Sequence, residues 1–283
     1  MNIDVICPLY KAEKYIENLH KSILKQKNVD LKNIMYIVTK SNDNTINILK
    51  SMNAMYKEIE PKDFSHSLTR EKAAFDSDAD IVVFITQDVK IIRDDWLYYL
   101  TKDIDEGTVD ACYSRQLCDN NTIEKYTREC NYPEISKIVS KEDIPELGLK
   151  TFFFSDASSA IKRDIFVKLK GYDQKKLVIS EDMYIAYKLI MNGYKIKYCA
   201  QSEVIHSHRF TLKQYYNRYK DTGKFFRENS YLNDYKVNQA GGSMAIYVLK
   251  RALQDKNFSV LVNFLPNMAT RFIGMKMGKI NGK

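Results

Sequence analysis

Ala79-Asp80-Ile81-Val82-Val83-Phe84-Ile85-Thr86-Gln87-Asp88 is an apolar, β-branched run that ends abruptly in a polar pair. Such a run is typical of a strand that is buried on both faces, as in the middle of a parallel sheet. In open α/β sheets, ligands bind beyond the carboxyl ends of the strands, where Asp88 is expected to lie. Its carboxylate there suits a hard divalent cation held against a phosphate, although an Asp at this point can equally be a helix N-cap.

The segments before this run alternate between strand and helix patterns. Residues 3–7 and 33–38 are strand-like, whereas residues 12–26 and the segment that begins near Thr45 have helical spacing of apolar residues. Strand, helix, strand, helix is the pattern of βαβ units, so the sequence predicts an α/β fold with a largely parallel sheet. Phosphates and nucleosides are then expected at the loops that follow the strands.

A helix between these segments and the central strand carries two basic side chains. Ser65 is expected to cap a helix that runs to about Ser77, which places His66 and Arg70 four residues apart on one face. An imidazole and a guanidinium on one face suit a diphosphate. The alternative is an ordinary solvated helix surface.

The second half of the sequence is less regular. Residues 110–116 are strand-like, whereas residues 117–148 are polar without a clear period and are predicted to be an insertion or an acceptor-facing loop region. Strand character is predicted again for residues 151–156, before a helix from Arg163.

Acidic and imidazole side chains form two further motifs. Ser180 is predicted to cap a helix that Gly193 ends, with Glu181 and Asp182 in its first turn, where the helix dipole alone would favour acids. After strand-like residues 194–199 and 204–205 come His206 and His208. Histidines at positions i and i+2 of a strand point the same way and can approach one metal ion.

The order of these motifs resembles family 2 glycosyltransferases of the GT-A fold, and most closely bacterial rhamnosyltransferases that use dTDP-L-rhamnose. The resemblance covers about residues 1–230 and rests on Phe64-Ser65-His66 with Arg70, Thr86-Gln87-Asp88, Tyr113-Ser114-Arg115-Gln116, Ser180-Glu181-Asp182-Met183, Gly193-Tyr194-Lys195-Ile196 and His206-Ser207-His208. It implies a Rossmann-like, mostly parallel mixed sheet flanked by helices. Residues 1–208 would form the catalytic domain, with a nucleotide-sugar half of about 1–116 and an acceptor half of about 117–208.

The resemblance also implies a catalytic centre. Asp88 would be the metal-binding aspartate for Mg²⁺ or Mn²⁺, with Gln87 in place of an earlier acid. His208, or alternatively His206, would be a further metal ligand or a diphosphate contact. Asp182 would be the general base for in-line attack with inversion and Glu181 would orient the acceptor, although the reverse assignment of these two acids stays open.

The nucleotide sugar would be bound by residues from several loops. Residues 38–41 are valine, threonine, lysine and serine, at positions where many relatives carry an acid that binds the nucleotide base. Asp43 or main-chain groups would therefore bind the base in this chain. The other contacts that the resemblance implies are Pro8, Tyr10 and Glu13 in the first loop with the Tyr10 ring on the base, His66 with Arg70 at the diphosphate, Gln87, and Arg115 with Gln116 at the donor sugar or acceptor.

Charge is distributed unevenly along the sequence. Residues 209–283 contain 14 Lys and Arg against 4 Asp and Glu, a net charge of +10, which leaves a net charge of −2 for residues 1–208. This basic, aromatic-rich region is predicted to be helical and to contact anionic lipid at a membrane surface. The alternatives are packing on the catalytic domain or a homodimer interface. Nucleic acid is not an expected partner, because no RNA-binding signature accompanies the basic residues.

The cysteines and apolar segments indicate the compartment. Five scattered cysteines without CxxC spacing are typical of reduced thiols in a cytoplasmic protein. No secretory signal is predicted, and the apolar stretch at 258–269 is too short and too interrupted to span a bilayer. We therefore expect a cytoplasmic protein, at the inner face of the cell membrane.

The expected function is inverting, metal-dependent transfer of a sugar, with L-rhamnose as the expected sugar. The expected acceptor is a glycan or lipid-linked glycan of a capsule, O-antigen or related cell-surface polysaccharide. One alternative is the same fold with a galactofuranose or N-acetylhexosamine donor. Another is a non-catalytic glycan-binding scaffold, against which the presence of both Asp88 and Asp182 argues.

Overall fold

The computed structural model describes residues 1–236 and 240–280, without the side chains of residues 240 and 241. Its strands are β1 (Asn2–Leu9), β2 (Asp30–Thr39), β3 (Tyr56–Ile59), β4 (Ile81–Ile85), β5 (Lys90–Ile91), β6 (Ala111–Leu117), β7 (Lys137–Val139), β8 (Ser158–Lys162) and β9 (Ile196–Ile205). Its α-helices are α1 (Ile16–Leu24), α2 (Thr45–Ser51), α3 (His66–Asp76), α4 (Trp96–Asp105), α5 (Ile123–Asn131), α6 (Ile144–Leu147), α7 (Arg163–Lys168), α8 (Glu181–Met191), α9 (Leu212–Glu228), α10 (Ala240–Gln254) and α11 (Phe258–Ile280).

The described strands form one mixed sheet in the order β3-β2-β1-β4-β8-β6-β9-β5, and β7 pairs with β9. Strands β1 to β4 are mutually parallel, and so are β6 and β9. Because β8 is antiparallel to both β4 and β6, those two strands run in the same direction. The carboxyl ends of β1, β2, β4, β6 and β9 therefore meet at one edge of the sheet.

The central position of β4 explains its composition. All five of its residues are buried, with Ile81, Val83 and Ile85 packed among residues of α1 and α4. Val82 and Phe84 face the opposite layer, which is formed by residues of α3, α7 and α8. This alternation confirms the prediction of a strand buried on both faces, within a helix-flanked α/β sheet.

Two predictions for the middle of the chain were wrong. Residues 117–148 are not a loop region, because α5 buries Ile123 and Tyr126 and β7 extends the sheet. Residues 151–156 form no strand: Phe152 and Phe154 are buried without strand pairing, and the strand is β8, which begins at Ser158. Aromatic burial at these positions comes from packing against distant segments, which local periodicity does not register.

The C-terminal helices pack on the part of the chain that contains the sheet. Helix α10 lies against α5, and Tyr126 of α5 shares an apolar cluster with Tyr215 of α9 and Phe264 of α11. Helices α9 and α11 approach so closely that a Cβ on Gly278 would lie 1.9 Å from the Lys220 carbonyl oxygen. Glycine is required at such a contact because it has no side chain. Among the described helices, none combines the length and the apolar character that crossing a bilayer requires.

Candidate active site

The site lies at the sheet edge where β1, β4, β6 and β9 end. Tyr10 follows β1, Asp88 follows β4, Gln116 lies near the end of β6, and His206 follows β9. Their convergence follows from the parallel directions of these strands. The sequence motifs that are far apart along the chain are thereby brought to one place.

Asp88, His206 and His208 form a potential ligand set for a metal ion. The Asp88 Oδ2 atom is 3.6 Å from His206 Nε2 and 3.7 Å from His208 Nδ1. One ligand atom from each residue lies within 4.8 Å of those of the other two. One carboxylate oxygen and two imidazole nitrogens suit a divalent transition metal such as Mn²⁺.

The protonation states of these groups also fit a cation. Burial lowers the pKa of His206, and burial together with the neighbouring His206 lowers the pKa of His208 to about 4, so both rings are neutral near pH 7. Burial tends to raise the pKa of Asp88, but its interactions with the two histidines outweigh burial and hold that pKa well below the usual range. The site therefore presents a carboxylate and neutral imidazoles, the forms that bind metals.

A buried glutamine sets the tautomer of His206. The Arg128 guanidinium can only donate hydrogen bonds, so the Gln116 side-chain atom that faces it must be the oxygen. That oxygen lies 2.8 Å from His206 Nδ1, which must then carry the proton and leave a lone pair on Nε2, the nitrogen nearest Asp88. Gln116 is thus held inside the protein, in a position that orients a ligand candidate. Arg128 belongs to α5, whose helical character the sequence interpretation missed.

Gln87 joins two loops of the site. Its Oε1 accepts a hydrogen bond from the Tyr10 backbone N–H at 2.8 Å, and its Nε2 donates to the Tyr10 carbonyl at 2.9 Å. An amide makes both bonds at once, which a carboxylate at this position would not. The Tyr10 ring beyond these bonds is 49% exposed and is available for stacking on a base.

The first two loops are also tied together by acids. Glu13 accepts from the Asn44 backbone N–H at 3.0 Å, and Asp43 accepts from the Glu13 backbone N–H at 3.4 Å. Asp43 lies just after β2 and Pro8 lies near the end of β1, at the sheet edge expected for the nucleotide.

Two threonine hydroxyls lie at the same edge. Thr39 ends β2 and Thr86 follows β4, and both hydroxyl groups are buried without a hydrogen-bond partner in the described part of the chain. Unpartnered buried hydroxyls are costly in a folded protein, and these two lie at the sheet edge where the nucleotide is expected.

Arg70 lies inside the protein and not at a surface for diphosphate. Only 2% of it is exposed, and its Nη1 donates to Glu181 at 3.0 Å and to the His66 carbonyl at 3.1 Å. In this structure His66 and Arg70 therefore do not form one exposed basic face, because the Arg70 guanidinium points inward to the Glu181 carboxylate. Ser65 does cap this helix, through the Leu68 N–H, as predicted.

Asp182 has the free carboxylate of the acidic pair. Glu181 is engaged by Arg70, whereas the Asp182 carboxylate accepts a hydrogen bond only from the Met183 backbone N–H among the described residues. Burial raises the pKa of Asp182, and the neighbouring Glu181 and Asp156 carboxylates raise it further. A raised pKa makes this carboxylate a better proton acceptor than an ordinary Asp.

Ser180 does not cap the helix as predicted. Its side chain makes no capping hydrogen bond, and its φ of 62° places it in the left-handed region. A non-glycine residue in this conformation is strained, and such strain is concentrated at functional sites. Here it turns the chain immediately before Glu181 and Asp182.

Arg115 is separated from the other predicted site residues. It neighbours Gln116 on β6, and successive strand residues point to opposite faces. Its guanidinium donates to Glu203 at 2.9 Å and Glu134 at 3.2 Å. These two carboxylates pair with the guanidinium that the sequence interpretation assigned to the donor sugar or the acceptor.

Known proteins resemble this chain in sequence over nearly its whole length. The sequence profile described as Glycosyl transferase family 2 matches residues 4–170. The O-antigen chain rhamnosyltransferase RfbN of Salmonella typhimurium is 33% identical, over 99% of this chain and 90% of that protein. The O-antigen chain rhamnosyltransferase WbaN of Salmonella anatum is 34% identical, over 97% and 88% respectively.

Solved structures show the same fold at low identity. The TarS protein of S. aureus, residues 1–349 in complex with UDP-GlcNAc, has a TM-score of 0.57 and 16% identity over 99% of this chain and 90% of that one. The mannosyltransferase PcManGT of Pyrobaculum calidifontis, in complex with GDP-Man and Mn²⁺, has a TM-score of 0.61 and 15% identity, over 98% and 86%. The GT-A-like fold that the sequence motifs implied is thereby confirmed.

Proposed function

This chain belongs to glycosyl transferase family 2 and is a glycosyltransferase, and we propose that it transfers L-rhamnose from dTDP-rhamnose to a hydroxyl of a growing O-antigen or related polysaccharide. Rhamnose is chosen because the chain is similar over nearly its full length to two O-antigen chain rhamnosyltransferases. Another nucleotide sugar on the same fold is the second candidate, because positions 38–41, at the end of β2 and just after it, hold no acid.

Asp182 is the proposed general base. Its carboxylate takes the proton of the acceptor hydroxyl while that oxygen forms a bond to the anomeric carbon. The bond from that carbon to the diphosphate oxygen breaks on the opposite side, so the configuration inverts and the nucleoside diphosphate leaves with the electron pair. Glu181, held by Arg70, fixes the start of α8 and so the position of Asp182.

Asp88, His206 and His208 would hold Mg²⁺ or Mn²⁺ beside the diphosphate. When bound, such an ion neutralises the charge that develops on the leaving group. Gln116 keeps the lone pair of His206 directed toward Asp88. Gln87 keeps the loop that carries Tyr10 against the same site, which would orient the base of the nucleotide.

Donor hydrolysis or transfer tests this proposal. The chain is incubated with a panel of dTDP-rhamnose, UDP-galactofuranose, UDP-N-acetylglucosamine and GDP-mannose, with Mn²⁺ or with EDTA, and nucleotide release is measured. We expect release from dTDP-rhamnose with Mn²⁺ and little release with EDTA. Release from another donor alone would refute the choice of rhamnose, and release from none would refute the proposed function.

Helix α11 suggests how the chain meets a lipid-linked acceptor at the inner face of the membrane. Its outward face carries six large apolar side chains that are between 51% and 76% exposed, namely Phe258, Val262, Leu265, Phe272, Ile273 and Ile280. This spacing lies on one side of the helix, and α11 contains no acidic residue, whereas Lys276 lies within the stripe and Lys279 lies close to it. An apolar stripe with lysines suits an anionic bilayer surface better than a second copy of a basic region.

Vesicle binding tests the membrane contact. Co-sedimentation with vesicles of phosphatidylcholine and phosphatidylglycerol is expected to exceed that with phosphatidylcholine alone, because the lysines add attraction to anionic lipid. The double variant Val262→Ser/Leu265→Ser should weaken binding about tenfold, since it removes apolar area from the interface. Ile135→Ser, at an exposed isoleucine outside α11, is the matched control. Light scattering that shows a dimer lost in the double variant would instead indicate a homodimer interface.

A further inference from the structure

Arg218 of α9 is an exposed cation beside the Asp88 site. In the described part of the chain, no carboxylate forms an ion pair or hydrogen bond with its guanidinium. The guanidinium carbon lies 5.8 Å from the centroid of the Phe210 ring, and that ring stacks on His208 with centroids 4.8 Å apart. His208 in turn lies 3.7 Å from the Asp88 carboxylate. This series of contacts links the guanidinium to the proposed metal site through Phe210 and His208.

Groups on several sides of the site respond to this charge. Arg218 contributes to the lowered pKa values of His66, His206 and His208, although burial is the largest cause for each. Its charge also opposes the rise in the pKa of Asp182 that burial and neighbouring acids produce. These four residues come from α3, the segment after β9 and the start of α8, so the Arg218 charge acts on groups from three parts of the fold.

Arg70, Arg115 and Arg128 already have partners. Arg70 is paired with Glu181, Arg115 with Glu203, and the Arg128 guanidinium donates to Gln116. Arg218 differs because, among the described residues, its guanidinium contacts the face of the Phe210 ring and no carboxylate. A free guanidinium next to a carboxylate–imidazole site has a geometry suited to an anion with several oxygens, since it offers two parallel N–H donors.

We propose that Arg218 binds the diphosphate of the nucleotide sugar and stays with it as the nucleoside diphosphate leaves. This assignment rests on the proposed glycosyltransferase function and replaces Arg70 as the guanidinium at that group. It also gives α9 a role in donor binding, although α9 lies outside residues 4–170, which the family profile matches.

Calorimetric titration with nucleotides and Mn²⁺ tests the assignment. For whichever of dTDP, UDP and GDP the wild-type chain binds best, affinity is compared with that for the corresponding nucleoside. Arg218→Gln should weaken binding of the diphosphate about 10- to 100-fold and leave nucleoside binding unchanged, because one charge-assisted contact is lost. Arg218→Lys should restore part of the affinity.

Lys220→Gln is the matched control, because it removes the same charge from an exposed position two residues further along α9. It should change diphosphate affinity little, and thermal unfolding should show that all three variants remain folded. Equal diphosphate affinity in Arg218→Gln and wild type would overturn the assignment alone. So would an equal loss of nucleoside binding, which indicates a structural role. A wild-type chain that binds none of the diphosphates would overturn the proposed function together with this assignment.

Discussion

Asp182→Asn is expected to lower the rate of sugar transfer by at least about 10³-fold, within the range attributed to a general base. The amide has nearly the shape of the carboxylate but does not accept the proton of the acceptor hydroxyl. Binding of the donor should persist, because Asp182 contacts neither Asp88 nor the two histidines in the structure. Initial rates with the donor identified by the panel, together with nucleotide affinity, measure both effects.

The same substitution should not destabilise the protein near neutral pH. Burial and the acids beside it raise the pKa of Asp182 above its unfolded value, so the folded state holds the proton more tightly. The stabilisation from this group is therefore present below the unfolded pKa, about 3.9, and is lost as pH rises through the raised folded pKa. Above that value the ionised carboxylate costs stability, and the neutral amide removes that cost.

Thermal unfolding at a series of pH values tests this reasoning. The midpoint of Asp182→Asn should equal or exceed that of wild type at pH 7 and approach it in acid. Glu181→Gln is the informative comparison, because it leaves the buried Arg70 without its counter-ion and should cost about 3–5 kcal/mol. Full transfer activity in Asp182→Asn with loss of activity in a folded Glu181→Gln would reverse the roles of the two acids.

Asp88→Asn is expected to reduce Mn²⁺ affinity by about 100-fold or more, because it removes the one carboxylate from the proposed ligand set. With Gln87 in place of a second acid, metal should bind the wild-type chain weakly until a nucleoside diphosphate adds oxygen ligands. Electron paramagnetic resonance titration of Mn²⁺, with and without dTDP, measures this coupling independently of catalysis.

Asp119→Asn is the matched control for this loss. Asp119 lines the same cavity as Asp88, of about 420 Å³, but its carboxylate is paired with Lys90 at 2.6 Å. It should retain wild-type Mn²⁺ affinity. Unchanged Mn²⁺ binding in Asp88→Asn, or full transfer activity of wild type in EDTA, would refute a metal site at Asp88.

Several features of this protein were determined by the sequence itself. The doubly buried β4 could be predicted because five consecutive apolar residues between polar ends have few other stable arrangements. The position of Asp88 just beyond β4 could be predicted from the end of that strand. The helix cap at Ser65 could be predicted because it depends on local hydrogen bonding. His206 and His208 could be grouped because residues two apart in extended chain share a face. Each of these inferences depends on neighbours within a few positions.

Only the tertiary structure decided which charged groups are free. Arg70 lies 111 positions from Glu181, and the Gln116 oxygen that faces Arg128 also faces His206, 90 positions from Gln116. Local periodicity carries no information about such pairs, because they form only when the sheet edge brings its loops together. Burial then makes pairing obligatory, since an isolated charge away from water is costly. Arg70 and Gln116 are therefore paired inside the protein. Arg218 lies in a helix that the sequence identified only as basic, and it is the exposed guanidinium that we propose for the diphosphate.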